Sequence, residues 1–100
     1  MTPSYVTVQF DRLYNVELDC SDEAEHDDVV SWSKDGRELH ESTEYSMQNN
    51  GAVLTVRHVT ANLAGRYQCR VVDGTTGDVT GSRHFVIVEA GLCVALRECL

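Results

Sequence analysis

Four residues constrain the fold of this chain more than any others: Cys20, Trp32, Tyr67 and Cys69. They sit in three segments, Leu18-Asp19-Cys20, Val30 to Gly36 (VSWSKDG) and Gly65-Arg66-Tyr67-Gln68-Cys69. Both cysteines and the tryptophan lie in runs that alternate apolar and polar residues, the period of a half-buried β-strand. In Val16-Glu17-Leu18-Asp19-Cys20 the alternation turns Val16, Leu18 and Cys20 to one face. Three soft or aromatic side chains therefore point inward from three different strands.

The rest of the chain has the same character. Tyr5-Val6-Thr7-Val8-Gln9-Phe10 alternates and is rich in β-formers, so it reads as a first strand, with Pro3 suited to an exposed sheet edge. Asp35-Gly36 is a two-residue turn signal after the tryptophan strand, which Glu38-Leu39-His40 continues. A short strand over Glu44 to Met47 is followed by a turn at Asn49-Asn50-Gly51 and a strand from Ala52 to Val56, with Leu54 and Val56 inward and Val59 behind them. A corner from Thr60 to Gly65 precedes Tyr67. The last hairpin turns through Gly74-Thr75-Thr76-Gly77, with Cys69 and Val71 sharing the inward face. Its return strand contains Phe85-Val86-Ile87-Val88, apolar at both parities, so alternation does not assign its inward face. Turn signals every eight to twelve residues and the lack of any helical period give an all-β reading.

The Cys…Trp…Tyr-x-Cys combination resembles the immunoglobulin superfamily, most closely its intermediate (I-set) modules, over roughly Pro3 to Glu89. The resemblance implies an immunoglobulin-like Greek-key β-sandwich of two antiparallel sheets, as a single domain over residues 1–89 with a tail or linker at 90–100. It implies that Cys20 and Cys69 form the core cysteine pair, bonded outside the cell or kept as a close-packed dithiol inside it. Trp32, Leu54 and Tyr67 are the core packing residues. It also implies that the Tyr67 hydroxyl bonds back to the corner backbone. Where I-set modules carry an Asp and a basic residue as an ion pair near this corner, the chain has Leu63 and Glu44, so that pair should be missing. Where they carry a glycine turn after the first strand, it has Asp11-Arg12-Leu13-Tyr14-Asn15, which leaves the turn conformation open.

One hundred residues make one domain of ordinary composition, 42% hydrophobic and 24% charged. No apolar run reaches the ~20 residues of a membrane span. The start Met1-Thr2-Pro3 has neither the basic beginning nor the apolar core of a signal peptide, and the sequence reads as one module of a longer protein. Sixteen acids against eight Lys plus Arg give a net charge of −8. Nucleic acid and anionic membrane surfaces require basic footprints and are not expected as partners on that ground.

The residues offer little catalytic chemistry. The run from Glu17 to Asp28 holds seven carboxylates with His26 among them, but lacks the alternating acids, glycine and terminal glutamate of a calcium loop. It reads as a solvated loop, with a Lys/Arg-rich protein surface as its ligand if it has one. His26, His40, His58 and His84 are dispersed, and Cys93 and Cys99 stand without a second pair of zinc-ligand spacing. No context supports a serine nucleophile, and no lysine or helix follows Gly74 to Gly77 to make a phosphate cradle. No cofactor, metal or small-molecule substrate is expected, and the domain reads as a non-enzyme.

The resemblance implies a non-catalytic interaction and spacer module of a larger multi-domain protein, with other proteins as partners, among them another Ig-like domain. A sandwich offers partners its edge strands. The candidate partner-binding positions are Val6, Val8 and Phe10 on the first strand and Glu44 and Tyr45 on the short one. None of Asn15, Asn49, Asn50 and Asn62 begins an Asn-x-Ser/Thr glycosylation site. That absence and the extra tail cysteines lean towards a cytoplasmic, sarcomeric or cytoskeletal setting of the titin and obscurin kind. The alternative is an extracellular receptor or adhesion domain binding a protein ligand.

Overall fold

A computed structural model describes residues 3–25 and 27–89. His26, Cys93, Cys99 and the rest of the tail from 90 to 100 lie outside the described residues. Eight strands follow in order: β1 (Ser4–Val8), β2 (Val16–Asp19), β3 (Val29–Lys34), β4 (Arg37–Glu38), β5 (Tyr45–Gln48), β6 (Val53–Val56), β7 (Gly65–Val72) and β8 (Val79–Glu89). Three single 3-10 turns, at Phe10–Arg12, Ser21–Glu23 and Ala61–Leu63, join them.

The strands form two sheets, one of five in the order β1-β8-β7-β3-β4 and one of three in the order β2-β6-β5. Every pairing is antiparallel except that of β1 with β8. These two strands come from opposite ends of the chain, so no hairpin forces them to run in opposite directions, and Val6 lies beside Ile87 in parallel register.

Alternation along each strand sends one set of side chains into the space between the sheets. Leu18, Leu54 and Val56 from the small sheet meet Val30, Trp32, Tyr67, Val71 and Ile87 from the large one, all buried. The return strand, ambiguous in sequence, turns Phe85 and Ile87 inward and Val86 and Val88 outward. Two strand ends differ from the sequence reading. The first strand stops at Val8, and Phe10 opens a 3-10 turn that ends with Leu13 in the left-handed region at φ 54°. The short strand begins at Tyr45, with Glu44 exposed in the bend before it.

Turn chemistry explains the hairpins. Asp35 and Gly36, at φ 50° and 88°, form a two-residue turn of the mirror-image kind that matches strand twist, and Lys34 pairs directly with Arg37. Asn49, Asn50 and Gly51 are three successive left-handed residues, at φ 56°, 57° and 90°, and asparagine and glycine tolerate this region best. This turn belongs to the small sheet but is bonded to the large one. Val30 donates its N–H to the Asn50 carbonyl (3.1 Å), and the Trp32 indole N–H donates to the Gly51 carbonyl (2.6 Å). A Cβ on Gly51 would overlap the Val30 carbonyl oxygen. Gly51→Ala therefore meets both an unfavourable φ and a steric clash, and should cost on the order of 2 kcal/mol or more. Urea denaturation against wild type measures this. A change within error would mean that the turn does not clasp the two sheets.

Candidate functional site

Cys20, at the end of β2, and Cys69, on β7, are joined by a disulfide, with their α-carbons 6.4 Å apart. It crosses from the small sheet to the large one through the centre of the core. Trp32 lies beside Cys69 in the β3–β7 register and packs on Phe85, with ring centroids 5.7 Å apart. Leu54 is fully enclosed on the opposite sheet.

Tyr67 is buried with its hydroxyl donating to the Leu63 carbonyl (2.6 Å), four residues back at the corner. Burial raises the phenol far above its ordinary pKa, and the neighbouring Tyr45 hydroxyl adds to the shift, so Tyr67 stays protonated and remains a donor. Leu63 is itself buried in the core cluster. The one ion pair among the described residues is at the other end of this tyrosine. Lys34 Nζ lies 2.8 Å from Asp35 Oδ2 and 6.0 Å from the Tyr67 ring centroid. The Lys34 ammonium, followed by the Arg66 N–H, holds the Asp35 carboxyl below the usual range. These groups all serve the fold. Among the described residues, no group of three or more His, Cys, Asp or Glu is placed to hold a metal.

The acidic run is spread out. Glu17 and Asp19 project from β2, Asp22 and Glu23 lie in the 3-10 turn, and Asp28 accepts the Glu25 N–H (2.8 Å) to close the loop. Hydrogen bonds from Ser21, side chain first, lower the Asp19 pKa. At the far hairpin, Asp73 accepts the N–H groups of Thr75 and Thr76, and these two bonds lower its pKa.

The sheet edges differ sharply from one another. On β5, both outward N–H groups and the Tyr45 carbonyl are already occupied. Met47 donates its N–H to Glu41 Oε2 (2.9 Å), Tyr45 donates to Ser42 Oγ (3.3 Å), and Ser42 donates to the Tyr45 carbonyl (2.9 Å). The Tyr45 side chain is in the core, against Tyr67 at a centroid distance of 6.3 Å. The expected docking positions Glu44 and Tyr45 thus belong to a closed edge. Ser42, three residues before Tyr45, carried the signal in sequence, since a serine readily bonds nearby backbone. β4 is only two residues long, and β2 carries exposed carboxylates at Glu17 and Asp19. β1 is five residues long and uncharged, and among the described residues no side chain caps its backbone. Val6 and Val8 face inward from it, Val8 fully, and Phe10 packs on the core rather than extending the edge.

This geometry is matched by known proteins. The model of the immunoglobulin I-set domain matches residues 2–86. The chain belongs to the immunoglobulin I-set family. It is similar to the human peroxidasin homolog, 36% identical over 86 residues, covering 82% of this chain and 6% of that protein. It is similar also to the titin homolog of Caenorhabditis elegans, 28% identical over 93 residues, which cover 91% of this chain and a share of that protein that rounds to 0%. Among solved structures, immunoglobulin domains 1–5 of Sidekick-1 superpose with a TM-score of 0.69 at 21% identity, over 89% of this chain and 18% of that one. The chain thus spans a small fraction of the curated relatives it matches. I-set membership makes this a non-catalytic immunoglobulin domain of the sort found in multi-domain proteins, and a protein-interaction module in general terms. No described helix is long and apolar enough to cross a membrane.

Proposed function

We propose that this I-set domain is a recognition and spacer module of a larger protein, and that its partner adds a strand to the open β1 edge. The supporting observation is the contrast between the edges. β5 has both outward N–H groups and the Tyr45 carbonyl bonded within the chain, β2 is acidic and β4 is too short, whereas β1 offers uncharged backbone to a partner's strand. Main-chain pairing supplies affinity, and the exposed Tyr5 and Thr7 side chains supply selectivity.

The Cys20–Cys69 disulfide supports an extracellular or secretory setting, because such bonds persist in oxidising compartments. The likeness to the nematode titin homolog over most of the chain supports a second reading, a sarcomeric or cytoskeletal module. Alkylation and mass spectrometry of the protein taken from its native source without reductant separate the two. A bonded Cys20–Cys69 peptide pair is expected, and two alkylated thiols would select the cytoskeletal setting.

The edge itself is tested by substitution. Tyr5→Lys with Thr7→Lys should leave the melting temperature within a few degrees of wild type and abolish capture of partner from the native source, since lysine blunts an edge. Ser46→Lys on the closed β5 edge should leave capture unchanged. Capture that survives the β1 double substitution would remove β1 as the docking edge.

A further inference from the structure

We infer that Asn50 is a site of covalent self-modification, where loss of ammonia turns the clasp between the two sheets into a form that no longer closes. The inference rests on one peptide unit and does not depend on the β1 edge. Of Asn15, Asn49, Asn50 and Asn62, only Asn50 is followed by glycine. Glycine has no Cβ to shield its backbone nitrogen from the preceding side chain. Asn50 is also exposed to solvent.

The reaction needs no partner but water. The Gly51 nitrogen loses its proton and attacks the side-chain carbon Cγ of Asn50, closing a five-membered imide ring. The Cγ–Nδ2 bond breaks, and Nδ2 leaves as ammonia with that proton. Water then opens the ring at either of its two carbonyl–nitrogen bonds, and the nitrogen regains a proton. Breaking the bond to Cγ leaves aspartate in an ordinary backbone. Breaking the other bond leaves isoaspartate, whose main chain runs through Cβ and Cγ and is one carbon longer.

The fold controls whether the ring can form. Ring closure rotates the peptide between Asn50 and Gly51, and that peptide is held on both sides. Its carbonyl accepts the Val30 N–H (3.1 Å), and its N–H donates to the Gln48 carbonyl (3.1 Å). One peptide further on, the Gly51 carbonyl accepts the Trp32 indole N–H (2.6 Å), and the Val30 carbonyl fills the space where a Gly51 Cβ would stand. A closed clasp therefore blocks the reaction, and local opening permits it. Isoaspartate in turn blocks reclosing. The carbonyl that Val30 bonds becomes part of a carboxylate off the main chain, and the added carbon displaces the Gly51 carbonyl from Trp32. Aspartate leaves both carbonyls in place. The clasp is thus a one-way latch, fixed open once it has stayed open long enough to react.

The test incubates the full chain, disulfide intact, in mildly alkaline buffer and in denaturing urea, and follows the Asn50 peptide by mass spectrometry that separates aspartate from isoaspartate. In urea, Asn50 should convert to both products ahead of the other three asparagines. In native buffer, conversion should be about tenfold slower or more. It should also keep pace with hydrogen exchange of the Val30 amide as urea is raised below the unfolding transition. Trp32→Phe removes the indole N–H, and should speed conversion in native buffer while leaving the rate in urea unchanged. A thermal melt checks that this variant is folded, and the Val30 comparison in wild type stands without it. Purified isoaspartate protein should have lost slow exchange at Val30, whereas Asn50→Asp should retain it. Equal rates in native buffer and urea would overturn the proposal. So would native conversion that ignores Val30 exchange, a folded Trp32→Phe that reacts like wild type, or an isoaspartate protein with Val30 still protected.

Discussion

The structure depends on how the two sheets are held across the core at one point. The Cys20–Cys69 bond supplies the covalent crossing, and Trp32 packs beside it in register with Cys69. Trp32 is 1% exposed, so its indole N–H needs a partner, and it finds the Gly51 carbonyl on the opposite sheet. The tryptophan thus contributes buried area, an aromatic contact with Phe85 and a polar tie to the small sheet. The left-handed turn at Asn49, Asn50 and Gly51 exists in the form that brings that carbonyl within reach.

Much of this was legible in the sequence. Strict alternation in Val16 to Cys20 fixed which side chains face inward, and Asp35-Gly36 announced its turn because few residue pairs tolerate two positive φ angles. Tyr67 and the corner before it followed from the family resemblance. What was hidden had a physical cause in each instance. Phe85-Val86-Ile87-Val88 is apolar on both faces, with Phe85 and Ile87 buried and Val86 and Val88 half-buried beside Tyr5 and Thr7 of β1, so alternation was silent. Phe10 read as a strand residue by propensity, but the chain leaves β1 at Gln9 and reverses through a left-handed Leu13. Asn49-Asn50-Gly51 read as a local turn, and nothing local shows that its carbonyls serve the other sheet.

The edges were the least legible feature, and the proposed function rests on them. Period and propensity identify a short strand at Tyr45 but do not show whether its outer groups are free. Glu41 and Ser42 close that edge from outside the strand, a pairing that exists only in three dimensions. With β2 acidic, β4 short and β5 bonded by Glu41 and Ser42, β1 is the edge on which the proposed recognition rests. Cys20, Trp32, Tyr67 and Cys69 are used by the core.

The central claim is that Trp32 is the inward anchor between the sheets, and equilibrium urea denaturation of Trp32→Ala with the disulfide intact tests it most directly. Removing a buried large aromatic side chain should cost ~3–5 kcal/mol, much of the stability of a domain this size. A Trp32→Ala protein that unfolds within about 1 kcal/mol of wild type would contradict the account, because a side chain that bridges the two sheets cannot be removed so cheaply.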